Sequence, residues 1–183
     1  MFKNILDQTD LVPEIKVSAL KSFLTGDGYA YDVTILLNGK GVCHVQHDGR
    51  GGEMMCDFVG NGETLVNKYI KDNKLNQIMF ENGWDFLESV DKISNEDVLE
   101  AIIEDEITNQ DTRKKINRYQ AKGLVIGTKG SDSFSTISWK QPLKKLIEVG
   151  HKDKLKDAIA KKIAELKDGE FILNNNLEKL GLL

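Results

Sequence analysis

"YAYDVTILLNGKGVCHVQH" (29–47) decides the fold. Its first nine residues carry the β-branched run Val33, Thr34 and Ile35, which suits a pleated, half-buried surface. Asn38-Gly39 then supplies two residues that tolerate positive φ at both central positions of a type I′ turn, whose twist matches a two-stranded hairpin. After Gly41, "VCHVQH" (42–47) alternates, with Val42, His44 and Gln46 on one face and Cys43, Val45 and His47 on the other. Strand, tight turn and strand follow. Upstream, "IKVSALKSFL" (15–24) reads as a further strand, broken by "TGDG". Downstream, "DGRGG" (48–52) turns the chain into "EMMCDFV" (53–59). An antiparallel four-stranded meander is the economical arrangement.

Helical spacing takes over after residue 60. "GETLVNKYIKDN" (62–73) sets Leu65, Val66, Tyr69 and Ile70 three and four apart, and a weaker helix, "NGWDFLESV" (82–90), turns Trp84 and Leu87 inward with Phe86 as a further candidate. "SNED" (94–97) is an N-terminal cap: Ser94 or Asn95 accepts from the orphan amides, and the acids suit the positive helix end. From there one long helix runs to a stop near Gly123, with Val98, Leu99, Ile102, Ile103, Ile107, Ile116 and Tyr119 facing the core. The polar stretch 108–112 is expected to kink or interrupt it. Residues 124–139 read as a hairpin around "KGSDS" (129–133), and Pro142 suits the start of a short helix. "HKDKLKDAIAKKIAEL" (151–166) is amphipathic through Leu155, Ala158, Ile159, Lys162, Ile163 and Leu166. "EFILN" (170–174) offers a last strand, and the tail is expected to be mobile. The prediction is α+β: an N-terminal antiparallel meander packed with several helices, plus a second, C-terminal hairpin, in one domain over 1–183.

The chain has 183 residues and a net charge of −4, which hides a split. Residues 1–110 hold 9 Lys and Arg against 20 Asp and Glu, whereas 111–183 hold 16 against 9. Such asymmetry suits a basic surface for nucleic acid or another polyanion; the same numbers also suit an acidic part docking on a basic one, or charges spread over solvated faces. No apolar run approaches the ~20 residues of a membrane span, and the start lacks the basic-then-apolar plan of a signal peptide. Two cysteines, Cys43 and Cys56, fit a reducing compartment, so a cytoplasmic location without a membrane partner is expected.

Residues 42–56 concentrate reactive side chains. Cys43, His44, His47 and Cys56 are all zinc-ligand types, but alternation sends His44 to the opposite face from Cys43 and His47, and no established zinc spacing is present. No metal site and no cofactor is therefore predicted. His151, the remaining histidine, opens a helix without a visible partner. The turn itself is a candidate anion cradle: Gly49, Gly51 and Gly52 let backbone amides approach a ligand, Asp48 opens the turn, and Arg50 adds a bidentate phosphate contact. It matches neither the Walker loop nor the dinucleotide fingerprint. A glycine-rich turn also solves purely backbone problems, so a hairpin and a small nucleotide-like anion site both stand.

The stretch 15–54 resembles a family of hypothetical proteins from bacteriophages and bacteria. The resemblance lies in Lys16, Leu20, Lys21 and Phe23 of the first strand, in Asn38, Gly39, Lys40 and Val42, and in Asp48, Gly49, Gly51 and Gly52. It covers about the first third of the chain, with a looser echo in "TRKKINRYQAKGLVIGTKG" (112–130). Gly41 and His47 depart from the family's pattern, which has Lys and Asn or Asp there. No activity attaches to the family. The resemblance implies a phage accessory role in the host cytoplasm, such as interference with host defence.

The basic segment "TRKKINRYQAKG" (112–123) carries Arg113, Lys114, Lys115, Arg118 and Lys122 with Tyr119 among them. On a helix Lys114, Arg118 and Lys122 form one i, i+4 line able to follow a phosphate backbone, with Lys115 and Tyr119 beside it. Lys129, Lys140, Lys144 and Lys145 extend the patch, and Phe134 and Trp139 are aromatic candidates for either base stacking or the core. A solvated helix end whose cations suit the C-terminal dipole is the plain alternative. Catalysis finds little support. Glu100 and Glu104 sit on a solvated helix face, the serines 131, 133, 135 and 138 lack a His–Asp arrangement, and Cys43 and His44 point apart. The leading expectation is a non-enzymatic protein binding nucleic acid or a host macromolecule through 113–145. A small-anion binder at 48–52 and an inhibitor whose acidic 96–106 face imitates DNA phosphates are the other readings.

Overall fold

The computed structural model describes residues 1–4, 6, 9–129, 131 and 133–183. The secondary structure is α+β. The chain divides into two compact units, Met1–Lys3 with Asp10–Thr108, and Asn4–Thr9 with Asn109–Leu183. That division falls within two residues of the change from acidic to basic composition. Two short strands, β1 (Lys3–Asn4) and β2 (Thr9–Asp10), pair with each other.

The first unit is built on β3 (Ile15–Leu24), β4 (Tyr29–Leu37), β5 (Lys40–His47) and β6 (Met55–Phe58), neighbours in sequence order and each antiparallel to the next. Asn38 at φ 50° and Gly39 at φ 79° form the expected turn with both angles positive. Alternation buries Tyr31, Val33, Ile35 and Leu37 of β4. In β5 the alternation fails at one point. Ile35 opposes Cys43 but Leu36 opposes Gly41, so Val42 is the extra residue of a bulge, and it is buried beside Cys43 instead of sharing the outer face of His44 and Gln46. A second bulge lies in β3, where the register passes from Ser18↔Thr34 to Lys21↔Asp32 with Ala19 at φ 54°.

Helices complete this core. α1 (Gly62–Asp72) buries Val66 and Ile70, while Leu65, expected inward, is exposed. A Cβ at Gly62 would lie 2.0 Å from the Val42 carbonyl oxygen, so glycine is what lets α1 start directly against β5. α2 (Leu75–Met79) buries Leu75 and Met79 and has no counterpart in the sequence reading. Trp84 and Leu87 are half-buried as expected, but Phe86 is 69% exposed, its ring 5.7 Å from that of Trp84. α3 (Asn95–Gln120) opens on a reciprocal cap: the Ser94 amide donates to Asp97 Oδ2 at 2.7 Å and the Asp97 amide donates to Ser94 Oγ at 3.0 Å. Val98, Leu99, Ile102, Ile103 and Ile107 enter the first unit's core. The 26-residue helix, about 39 Å long at 1.5 Å per residue, continues through 108–112 without the expected interruption. Those residues include no Pro or Gly, their propensity penalty is only a few tenths of a kcal/mol each, and Asn109 is buried.

In the second unit β7 (Gly123–Thr128) is the central strand, with β8 (Phe134–Ser138) and β9 (Glu170–Ile172) antiparallel on either side. The sheet is covered on both faces, which explains the unbroken apolar run Leu124, Val125 and Ile126. Leu124 packs with Leu143 of α4 (Leu143–Glu148), Leu155 and Ile159 of α5 (Lys152–Ala164), Leu177 and Leu182. Val125 packs with Leu6 and Ile116, and Phe134 and Leu173 lie against them. Of the "KGSDS" turn, Gly130 and Asp132 lie outside the described residues. The tail, expected to be mobile, is packed: Leu177 and Leu182 are buried, and two asparagine side chains tie the backbone down. Asn174 accepts from the Val125 amide at 2.7 Å and donates to the Gly123 carbonyl at 2.8 Å, while Asn176 donates to the Gln120 carbonyl at 3.0 Å. No described helix is long and apolar enough to cross a membrane.

Candidate nucleic-acid interface and the glycine turn

The turn at 48–52 consumes its own hydrogen-bonding groups. The Arg50 amide donates to Asp48 Oδ1 at 2.9 Å, and the Gly49 amide lies 3.2 Å from His47 Nδ1. The Thr25 hydroxyl bonds the Gly49 carbonyl and, at 2.8 Å, that of Gly28. Gly49 is buried at φ 70°, and a Cβ there would sit 2.6 Å from the Ala30 amide nitrogen. Gly51 and Gly52 are exposed, as is Arg50. The amide of Arg50, one of the donors an anion cradle requires, is thus taken by the turn's own Asp48.

His47 closes the same turn. Its Nδ1 lies 3.0 Å from the Tyr29 carbonyl oxygen and its Nε2 lies 2.9 Å from that of Gly52. Carbonyls only accept, so a ring protonated on both nitrogens satisfies both at once. The Tyr29 carbonyl is the main reason its pKa lies above the ordinary value; burial opposes this, and the Gly52 carbonyl, Glu100 and Asp48 reinforce it. The ring also stacks on Tyr31 at 5.3 Å. His44 points to the other face, where its Nε2 is 3.7 Å from Asp32 Oδ1. Cys43 and Cys56 are free thiols; burial, then Cys56, pushes Cys43 up to about 12, and burial raises Cys56 as well. Neither is a thiolate near neutrality, and no group of three metal-ligating side chains converges among the described residues.

The basic segment divides differently from its sequence pattern. α3 ends at Gln120, so Lys122 leaves the helical line of Lys114 and Arg118 and sits in the turn to β7, its amide bonded to the Tyr119 carbonyl. The Leu143 amide donates to the Ala121 carbonyl at 2.9 Å, which sets the start of α4, with Lys144 and Lys145, next to that turn. Lys129 lies past the other end of β7, roughly 20 Å away at ~3.3 Å per residue. Lys114 is paired with Asp111 at 2.9 Å, and Arg113 is half-buried. Lys115, Arg118, Lys122, Lys129, Lys140, Lys144 and Lys145 are exposed and have no carboxylate within ion-pair distance among the described residues.

Tyr119, expected in the core, is 40% exposed. With Thr112, Lys115, Ser133, Phe134 and Thr136 it lines a groove of about 460 Å³ floored by Leu6. The Tyr119 and Phe134 rings meet edge to face, 5.9 Å apart at 65°. Neither the Thr112 nor the Thr136 hydroxyl has a hydrogen-bond partner among the described residues. The sequence reading named Lys115, Tyr119 and Phe134 separately and missed the groove, because only the folded sheet brings β8 beside this part of α3. Two isolated aromatics in polar surroundings, "NRYQ" and "SDSFST", were the available signal.

On the first unit, Glu53, Ser94, Glu96, Asp97 and Glu100 border an acidic pocket of about 560 Å³. Glu104 is not an unperturbed surface acid: desolvation, then Glu100 and Asp105, raises its pKa. Tyr31, buried beside Glu100 and Glu104, has a hydroxyl without a hydrogen-bond partner among the described residues, and burial drives its pKa well up. Compared with known proteins, the chain matches no family model, no curated protein and no solved structure.

Proposed function

We propose that this chain is a non-enzymatic binding protein that takes nucleic acid on the basic surface of its second unit. The open charge of that unit carries the reading. Lys115, Arg118, Lys122, Lys144 and Lys145 are exposed cations without carboxylate partners among the described residues, and α4 is tied to the turn that bears Lys122. The N-terminal part is by contrast acidic, with 9 Lys and Arg against 20 Asp and Glu over residues 1–110. Uncompensated cations gain most from a phosphate backbone, because each phosphate they neutralise releases condensed counterions. The resemblance of residues 15–54 to phage and bacterial proteins adds a setting: an accessory role in a host cytoplasm, such as interference with host defence. A nucleotide-like anion at 48–52 has weaker support, since Asp48 already takes the Arg50 amide and sets a carboxylate in the turn.

The test is binding of a labelled oligonucleotide, followed by anisotropy between 50 and 200 mM salt. Log K falls against log salt with a slope of about −0.7 per phosphate contact on a single strand. Five contacts give a slope of roughly −3 to −4. Arg118→Glu lowers affinity by about tenfold or more, an expectation from the same counterion argument. Affinity indifferent to salt, or untouched by Arg118→Glu, overturns the reading.

A further inference from the structure

We infer that the groove lined by Thr112, Lys115, Tyr119, Ser133, Phe134 and Thr136 is a seat for one unpaired nucleobase, making the ligand of the basic unit single-stranded. This rests on the nucleic-acid reading above and names the substrate class for it.

Three observations converge. The first is the ring pair. Phe134 is held from beneath by Leu6, Ile116 and Val125, so its position is set by the core. Tyr119 stands against it edge to face, and 40% of its surface remains open. An aromatic that is fixed at its base and open above offers a stacking platform, and every base has a π-face to place on it. In a duplex those faces are already stacked; only an unpaired base has one free.

The second is the chemistry of the rim. Lys115 follows Thr112 and precedes Tyr119 at spacings of three and four, one face of α3, and it has no carboxylate partner among the described residues. A cation beside the rings excludes a cationic guest and attracts a phosphate attached to the base. The Thr112 and Thr136 hydroxyls are unpartnered among the described residues and can donate to or accept from a base edge or a sugar hydroxyl. The third is size. At about 460 Å³ the groove falls within the ~300–1,000 Å³ of small-ligand sites, which suits one nucleotide and is too small for a duplex. Arg118, one turn from Lys115 on the same helix, is placed to take the next phosphate along the strand.

The experiment uses the full chain with a 12-nucleotide strand carrying one 2-aminopurine, as DNA, as RNA, and annealed into a duplex. Both single strands bind more tightly than the duplex, and 2-aminopurine emission is quenched on binding. Tyr119→Ala lowers single-strand affinity by roughly 5- to 150-fold, the ~1–3 kcal/mol of one stacked base at 1.4 kcal/mol per tenfold, and abolishes the quench. Tyr119→Phe, which keeps the ring, keeps both. A preference for RNA over DNA assigns the rim hydroxyls to the ribose 2′-OH; equal binding assigns the ligand as single strands of either kind. The inference fails, with the basic reading intact, if Arg118→Glu weakens binding while Tyr119→Ala leaves affinity and quench unchanged, or if duplex binds as well as single strand. Absence of binding by all three oligonucleotides overturns the basic reading and this inference together.

Discussion

The glycine turn at 48–52 and the groove between α3 and β8 hold similar ingredients and use them in opposite ways. Each has an exposed cation, small polar groups and an aromatic neighbour. In the turn, the Arg50 amide is held by Asp48, and both nitrogens of His47 are engaged by the Tyr29 and Gly52 carbonyls. In the groove, Lys115 and the Thr112 and Thr136 hydroxyls have no such partners among the described residues. Composition names the ingredients of a site; whether their hydrogen bonds are already made decides what they are available for.

The largest effect expected separates two glycines within the turn. Gly49→Ala places a Cβ against the Ala30 backbone at positive φ and destabilises the fold by about 3 kcal/mol or more, read as a lower urea midpoint. Gly51→Ala, with open space around it, loses only the ~1–2 kcal/mol of the left-handed conformation. Equal losses would break the claim that Gly49 alone is pinned.

Next comes the asparagine clasp of the second unit. Asn174→Ala leaves the Val125 amide and the Gly123 carbonyl short of a partner and lowers stability by about 1–3 kcal/mol. Asn175→Ala removes only an exposed side chain, because the bond at that position is made by its backbone amide to Gln120. A scan in which the two behave alike would count against an ordered tail.

His47 sharpens the comparison through pH. Its folded pKa lies above the unfolded value, through the Tyr29 carbonyl first, so its contribution is fully present below the unfolded pKa of ~6.5 and is lost as pH rises through the folded one. Deprotonated Nδ1 then accepts from the Gly49 amide instead of donating to Tyr29. Hydrogen exchange of the Arg50 amide, whose turn loses a closing bond, should therefore quicken across that window, beyond its intrinsic pH dependence, in the wild type and not in His47→Gln. Identical profiles would remove the histidine from the turn's stability.

The smallest effect lies between adjacent lysines. Lys114 is already paired with Asp111 on an exposed surface, so Lys114→Gln moves stability by roughly a few tenths of a kcal/mol. It also weakens oligonucleotide binding less than Lys115→Gln does. The reverse order would place the ligand on the other side of α3.

The features that were legible in the sequence depend on neighbours in the chain. Asn38-Gly39 needs only its own φ angles to form a hairpin, and Ser94 and Asp97 need only each other to start a helix. Features set by distant partners were not legible. Val42 joins the core because a one-residue bulge against β4 reverses it, Leu177 and Leu182 are buried by a sheet and helix that no local period announces, and Tyr119 meets Phe134 of a strand that follows it in the chain. Stretch 108–112 misled for a third reason: its polar residues lower helix propensity, and a helix held by apolar contacts on both sides overrides that.

The strand order of the second sheet has a consequence for how the chain is made. The first sheet closes between sequence neighbours, hairpin by hairpin, whereas β7 is a central strand whose partner on one side, Ile172 opposite Ile126, is synthesised 46 residues after it. Long-range pairing of that kind waits on loop closure and is slow relative to local hairpins. Until β9 emerges, β7 has only β8 beside it, and a three-residue run as apolar as Leu124, Val125 and Ile126 is the segment a nascent chain most needs shielded. β8 stays an edge strand in the order β8-β7-β9, and Ser135, Thr136 and Ser138 keep that edge polar.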